Sequence, residues 1–465
     1  MSEVVRELID ALGEDCVLTG DDVQTRSAGI WRRDTVQAMA LIRPRSTEEV
    51  SAALRICNAR GQKVVAHGGL TGLVESAITQ PDEVALSLER MNQIEELNPV
   101  DRTMVVQSGT VLQVVQEAAE AQDLMFPLDL GGRGSCTIGG NISTNAGGNR
   151  VVRYGMTRDM VLGLEAVLAD GTVVSSMNRM IKNNAGYDLK QLFIGTEGTL
   201  GVVTRAVLRL REKPLNQTTV LVAVDAFPKL PGFLKHMDQA LGGTLSAFEA
   251  MWNRFYIQVT TAPARNQPPI SQEYPYYVLL EAMGSDEAMV EAALAEAYEK
   301  ELICDAVLAQ SEAQRQQLWG MRDDVEQCFR DGPTIAFDVS LRISDMEDYV
   351  AEVESRLAQA FDRRDVFIFG HMGDGNLHLV IGVGAYSKEI RSKVESSVYE
   401  PLRAIGGSVS AEHGVGLEKK PYLGISRSSV EIDLMRTLKK ALDPKGILNP
   451  GKIFDLPSGD TEAAA

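Results

Sequence analysis

The chain is poor in cysteine, histidine, aromatic residues and positive charge. Its five cysteines (Cys16, Cys57, Cys136, Cys304, Cys328) are scattered and never in CxxC spacing. That excludes a disulfide framework and a thiolate zinc site, and it fits a reducing cytosol. They read as small buried hydrophobes. Lysine and arginine total 46 against 64 acidic residues, a net charge of −18. Such a chain lacks the basic face of a nucleic-acid binder and any electrostatic pull toward anionic lipid. No apolar run approaches the ~18 residues of a transmembrane segment. The N-terminal MSEVVRELIDALGEDCVL is acidic and amphipathic, without the basic start and long apolar stretch of a secretory signal. Neither GxGxxG nor GxxxxGK[ST] occurs, so a bound nucleotide would use neither a Rossmann turn nor a P-loop. The expected location is the cytoplasm, with peripheral attachment to the inner membrane as the alternative.

What is present is a globular composition, 44% hydrophobic and 24% charged over 465 residues, enough for two or three domains at ~150 residues each. Short strands and helices fill residues 1–126, with Ser46 or Thr47 capping a helix. The stretch 127–155 is rich in glycine and hardly patterned. The segment LREKPLNQ (210–217) reads as a boundary. Beyond it, strands at 218–224, 276–281 and 334–341 alternate with helices at 229–241, 285–300, 311–328 and 345–359. That grammar predicts an α+β domain with helices on one face of a sheet. The C-terminal SGDTEAAA reads as a frayed tail.

Three glycine-rich loops stand out: His67-Gly68-Gly69-Leu70-Thr71-Gly72; Pro127-Leu128-Asp129 with Thr137-Ile138-Gly139-Gly140-Asn141-Ile142-Ser143-Thr144-Asn145-Ala146-Gly147-Gly148; and Gly195-Thr196-Glu197-Gly198-Thr199-Leu200-Gly201-Val202. Glycine lets the backbone approach a ligand closely, and successive N–H groups can cradle phosphate oxygens. Together with Arg153-Tyr154-Gly155-Met156-Thr157, these loops resemble the flavin-binding half of the vanillyl-alcohol-oxidase type flavoproteins (the p-cresol methylhydroxylase, or PCMH, type). Within them the chain resembles the branch of D-lactate dehydrogenase, D-2-hydroxyglutarate dehydrogenase and the glycolate oxidase flavin subunit, over about residues 20–455. The resemblance implies an FAD-binding domain over 1–212. It implies a cap domain with an antiparallel sheet and a metal site over 213–420, and a helical segment returning to the flavin over 421–465. FAD would meet Gly68, Gly69, Thr71, Gly72, Pro127, Asp129, Gly139, Gly140, Asn141, Thr144, Asn145, Gly147, Gly148, Gly155, Gly201, Val202 and Asn449. His67 precedes the glycine pair rather than following it, so non-covalent FAD is expected.

Of five histidines, three fall in two dense motifs, Gly370-His371-Met372-Gly373-Asp374-Gly375-Asn376-Leu377-His378 and Glu412-His413-Gly414. The first reads as a hairpin whose turn brings His371 and His378 across from each other. Two imidazoles and a carboxylate suit a divalent ion such as Zn²⁺. The resemblance makes His371, His378 and Glu412 the metal ligands, His413 the catalytic base, and Arg322 of LWGMR the anchor for a substrate carboxylate. His236 reads as part of a solvated helix face.

The resemblance further implies oxidation of a D-2-hydroxy acid to the 2-oxo acid, with hydride passing to flavin N5 and an external acceptor, an electron-transfer flavoprotein or a quinone, reoxidising the flavin. A homodimer is the expected assembly. The hydroxyglutarate enzymes carry Thr, Lys and Asn where this chain has Glu326, Ala336 and Val380. A lost lysine and a gained carboxylate disfavour a second substrate carboxylate, so a D-lactate-like substrate is favoured, with D-2-hydroxyglutarate as the alternative. Two rivals are a metal-dependent hydrolase or lyase without flavin chemistry, and a non-catalytic subunit of a flavoprotein complex.

Overall fold

A computed structural model describes residues 2–30 and 32–457; the C-terminal segment read as a frayed tail lies outside them. The chain forms two compact units, one from 1–147, 156–213 and the described part of 412–465, the other from 148–155 and 214–411.

The first unit carries two main sheets. In one, the strands run Val17–Leu18, Ala40–Ile42, Val84–Ser87, Val64–His67, the last three parallel. The helix Thr47–Ala59 makes the crossover; Ser46 caps it, its side chain accepting from the Glu49 N–H. This helix, Glu3–Leu12 and the sheet bury one apolar cluster containing Leu8, Leu54, Val64 and Leu86. The strands there are apolar on both faces, as a covered parallel sheet requires. The other sheet is antiparallel, in the order Ile94–Asn98, Thr103–Gln107, Val202–Arg209, Val161–Val167, Val173–Ser176. Strand Ile94–Asn98 was not expected. Two adjacent glutamates, Glu95 and Glu96, obscure its pattern; each pairs with an arginine, Arg205 and Arg179 respectively. The glycine-rich stretch is more ordered than its composition suggests. Thr137 caps the helix Ile138–Thr144, which ends on Asn145 in the left-handed conformation (φ 51°).

The second unit is built on a seven-stranded antiparallel sheet. Its order is Asp305–Leu308, Gln217–Val224, Tyr276–Met283, Leu245–Trp252, Asp365–His371, Asn376–Gly382, Thr334–Ser340. Two expectations fail here. Helices cover parts of both faces, not one: Phe233 of helix Lys229–Ala240 packs on Phe248, and Tyr399 of helix Lys388–Ile405 packs on Phe337. On the opposite face, helices Asn253–Thr260 and Glu312–Asp323 join a cluster with Leu221, Met251, Tyr277 and Phe369. The helix expected over 311–328 stops at Asp323, and a 3-10 turn Val325–Phe329 follows. Asp323 and Asp324 sit at its negative end, where acidic side chains oppose the helix dipole. His236 is half-buried, and its Nε2 lies 2.9 Å from the Ala293 carbonyl oxygen.

Among the described residues no helix is long and apolar enough to cross a membrane. Four of the five cysteines are buried, and all five are free thiols.

Candidate active site

Strand alternation sorts the second unit's chemistry onto one face. Side chains two apart along a strand share a face, and pairing aligns Asp338 with His378, His378 with Phe369, and His371 with Glu249. The expected hairpin forms, turning through Met372–Asp374 to Gly375, which adopts φ 87°. A Cβ on Gly375 would stand 2.7 Å from the Leu341 carbonyl oxygen, so the turn needs glycine twice over. His371 and His378 are diagonal neighbours rather than directly opposed. Their ring centroids lie 5.3 Å apart with planes at 82°, and each can bring a ligand nitrogen within 4.8 Å of the other's. Asp338 is likewise within 4.8 Å of His378.

Glu249 was not anticipated, because its strand, LSAFEAMW, reads as an apolar run interrupted by one charge. It is fully buried and bridges two of the expected residues. Its Oε1 lies 2.6 Å from His371 Nδ1, and its Oε2 accepts from Arg322 Nε at 2.7 Å. Burial raises the Glu249 pKa, but the His371 and Arg322 charges outweigh it and hold the carboxyl at about 2. A carboxylate on Nδ1 turns the Nε2 edge of the ring outward, the usual arrangement of a metal-binding histidine. Arg322 is 5% exposed and its guanidinium carbon sits 4.9 Å over the Phe369 ring. Its two terminal nitrogens bond to no other described residue, so the forked end can receive a carboxylate.

Around this pair stand two more buried carboxylates. Glu281 accepts from Trp319 Nε1 (3.1 Å), Ser246 Oγ (3.2 Å) and Arg150 Nε (3.4 Å). Asp338 accepts from Asn376 Nδ2 (3.3 Å), Ser410 Oγ (3.3 Å) and the Ala411 N–H (3.2 Å). Asp338 therefore fastens the backbone one residue before Glu412. The donor set, two histidines with a carboxylate on the rear nitrogen of one, fits a borderline divalent ion. Of the positions expected to set substrate preference, Ala336 and Val380 pair across adjacent strands. Ala336 is exposed, Val380 is packed in the apolar cluster with Phe369, and Glu326 is exposed on the 3-10 turn.

In the first unit, the expected loops converge. A Cβ on Gly68 would meet Thr137 Oγ1 at 2.8 Å, one on Gly69 the Ser135 carbonyl oxygen at 2.1 Å, and one on Gly139 the Ser108 Cβ at 2.6 Å. Gly72 has open space. His67, 2% exposed, has its Nε2 at 2.9 Å from the Ala77 carbonyl oxygen, while Nδ1 is buried with no partner among the described residues. A cradle that only glycine allows, beside an orphaned buried nitrogen, fits a large polar cofactor. The side chains of Thr144 and Asn145 bond within the protein, Thr144 to the Gly140 carbonyl and Asn145 from the Arg158 N–H. Gly201 packs on Phe193, and Pro127 and Asp129 are buried. Gly147 and Gly148 are buried, Gly155 adopts φ 75°, and Val202 opens a sheet strand. Asn141 is 5% exposed, its amide donating to Cys136 Sγ. Asn449 is a knot of backbone bonds. Its Oδ1 accepts from the Ala66 N–H at 2.9 Å and its Nδ2 donates to the Glu197 carbonyl at 2.6 Å.

The fold and these two sites define a flavin-dependent oxidoreductase with an α+β architecture. Residues 213–453 match the C-terminal domain of FAD linked oxidases, and residues 38–176 match an FAD binding domain. The chain belongs to this FAD-linked oxidase family, in the branch of the D-2-hydroxyacid dehydrogenases. It is 42% identical over 442 residues to a D-2-hydroxyglutarate dehydrogenase of Xanthomonas citri pv. viticola, covering 93% of each chain. It is 41% identical to a mitochondrial D-2-hydroxyglutarate dehydrogenase of Bos taurus, over 89% of this chain and 76% of that one. A putative mitochondrial D-lactate dehydrogenase of Schizosaccharomyces pombe is 39% identical over 88% of this chain and 81% of that one. In fold it is similar to 4-ethylphenol oxidase from Gulosibacter chungangensis (TM-score 0.76, 18% identity, 98% and 97% coverage). It is also similar to p-cresol methylhydroxylase (TM-score 0.76, 17% identity, 97% and 96% coverage).

Proposed function

We propose that this protein oxidises a small D-2-hydroxy acid to the 2-oxo acid, using non-covalent FAD and a divalent ion such as Zn²⁺. The observation that carries the reading is the shared carboxylate of Glu249, which joins an anion-binding arginine to a metal-type histidine on one sheet face. Arg322 holds the substrate carboxylate through its forked end. His371, His378 and Glu412 are the ligands this reading assigns to the ion. His413 accepts the proton of the α-hydroxyl, the general-base role most often taken by an imidazole. The ion, when bound, would lower the pKa of an adjacent hydroxyl. FAD, when bound, would supply the hydride acceptor and the link to an external electron acceptor. Gly68, Gly69 and Gly139 let the loops that would hold the cofactor pack closely on their neighbours, and Gly72 leaves open space.

A short, neutral substrate side chain, as in D-lactate, suits the chain better than a second carboxylate. Ala336 offers no cation, and Glu326 adds a negative charge close to the Arg322 helix. The names of the relatives favour D-2-hydroxyglutarate as the second reading. Steady-state kcat/KM with an artificial acceptor, compared for D-lactate, D-malate and D-2-hydroxyglutarate, separates them. A preference for the monocarboxylate supports the first, and a preference for D-2-hydroxyglutarate overturns it. Chelation that leaves kcat/KM unchanged removes the metal from the reading.

A further inference from the structure

We propose that Glu197 is a positioning residue for His413, acting through the turn that follows it. The inference rests on the reading of His413 as the base and adds a second layer to it. Glu197 lies in the GTEGTLG loop, whose glycines the sequence already singled out.

Glu197 is 5% exposed and its carboxylate is committed to one turn. Its Oε1 accepts from the Val415 N–H at 2.7 Å, and its Oε2 accepts from the Gly416 N–H at 2.9 Å. The Ser76 hydroxyl donates to Oε2 as well. Two successive backbone donors on one carboxylate fix the plane of the peptide between them. The turn is built to admit this. Gly414 adopts φ 85°, and a Cβ there would stand 2.8 Å from Glu197 Oε1. Gly416 adopts φ 52°, and a Cβ there would stand 1.8 Å from the Val74 carbonyl oxygen. On its far side the turn is held by Leu417 N–H donating to Val74 (3.0 Å) and Ile453 N–H donating to Gly416 (2.9 Å).

The carboxylate is itself held from behind. Glu197 adopts φ 50°, a conformation that costs a non-glycine residue energy and persists only when its surroundings enforce it. Its N–H donates to the Ser143 carbonyl at 2.8 Å, and its carbonyl accepts from Asn449 Nδ2 at 2.6 Å. Thus the helix of the second glycine loop, the C-terminal NPGK turn and the Val415–Gly416 turn all meet at one residue. Burial pushes the Glu197 pKa up, while Ser76 and the two N–H groups oppose that shift. A packing role alone would be met by a neutral side chain of the same volume. The carboxylate with three donors on it serves direction, because the residue two positions before Val415 is His413.

The test uses the FAD-loaded protein and whichever of D-lactate or D-2-hydroxyglutarate reduces its flavin. Glu197→Gln keeps the volume but turns an amide donor toward one of the two N–H groups. The expected result is a ~10- to 100-fold fall in the saturating rate of flavin reduction, as sub-ångström misplacement of a reacting group produces. FAD content is expected to hold, and KM to change by less than ~3-fold on the same argument. In a His413→Asn background the substitution should add nothing, since both changes act on one interaction. Hydrogen exchange of the peptide spanning 412–417 in the resting protein should accelerate, with the rest of the chain unchanged. Additive effects in the double variant, a change in KM alone, or unchanged exchange at 412–417 would overturn the proposal. If Glu197→Gln does not retain FAD, Ser76→Ala loosens the same carboxylate. A several-fold fall in rate that vanishes in the His413→Asn background supports the proposal, and an unchanged rate overturns it. A His413→Asn protein that reduces its flavin at the wild-type rate instead refutes the reading of His413 as base, a distinct failure.

Discussion

Replacing Glu249 by Gln probes the junction on which the second unit's chemistry depends. The substitution keeps the side chain's shape and removes one buried charge. In the native protein that charge touches two groups, Arg322 Nε at 2.7 Å and His371 Nδ1 at 2.6 Å. The Arg322 and Glu249 side chains are 6% and 0% exposed, so water replaces neither contact. With charge centres ~4 Å apart, the attraction is about 4 kcal/mol at an effective dielectric of 20. Removing one partner of a buried pair costs ~3–5 kcal/mol, because the other stays buried and unpaired. The remaining amide oxygen recovers part of this, leaving an expected loss of about 3 kcal/mol in the stability of the second unit. His371 also loses the carboxylate that orients it, which should weaken Zn²⁺ binding by ~10- to 100-fold. Thermal unfolding of the zinc-free protein reads the first effect, and competition with a chromophoric chelator reads the second. A variant with wild-type zinc affinity and an unchanged unfolding transition would refute the idea that one carboxylate serves both neighbours.

Other consequences follow from single positions. Arg322→Lys keeps the charge but loses the forked geometry, and should raise the KM for a hydroxy acid by ~10- to 100-fold, the worth of a charged hydrogen bond or two; an unchanged KM places the anion anchor elsewhere. Gly69→Ala puts a Cβ 2.1 Å from the Ser135 carbonyl oxygen, so the purified protein should carry little FAD, as the 450 nm absorbance per chain would report. His67 makes stability depend on pH. Burial lowers its pKa from 6.5 to about 4, so the unfolded chain binds the extra proton first as pH falls. Its contribution is complete above pH 6.5 and lost toward pH 4, ~3 kcal/mol in all. Denaturant titrations of His67→Gln across that window should be flatter than those of the wild type, and equal slopes would contradict the assignment.

The parts of the site that were legible in the sequence are those encoded locally. GHMGDGNLH announces a hairpin, because its glycines permit only a tight turn and its histidines flank it. Ser46 announces a helix start. Glu249 and Glu281 were not legible, because a buried carboxylate in an apolar strand has no local signature. Its meaning lies in partners 73, 122 or 131 positions away in the chain. The Glu197 hub is hidden for the same reason; its donors Val415 and Gly416 lie 218 and 219 residues downstream. The two-sided helix covering of the sheet was missed because helix Asn253–Thr260 and strand Leu245–Trp252 blend into one apolar stretch. The diagonal placement of His371 and His378 depends on register, which residue spacing alone does not specify.

The central claim is that this chain passes hydride from a D-2-hydroxy acid to its own FAD. The most direct measurement is anaerobic mixing of the purified, zinc-supplemented flavoprotein with D- and L-enantiomers of lactate and 2-hydroxyglutarate, following the oxidised flavin band near ~450 nm. The account predicts stoichiometric bleaching by a D-acid, slow or absent bleaching by its L-enantiomer, and loss of the fast phase in His413→Asn. A bound flavin that none of these acids reduces, or one reduced equally by both enantiomers, would contradict it.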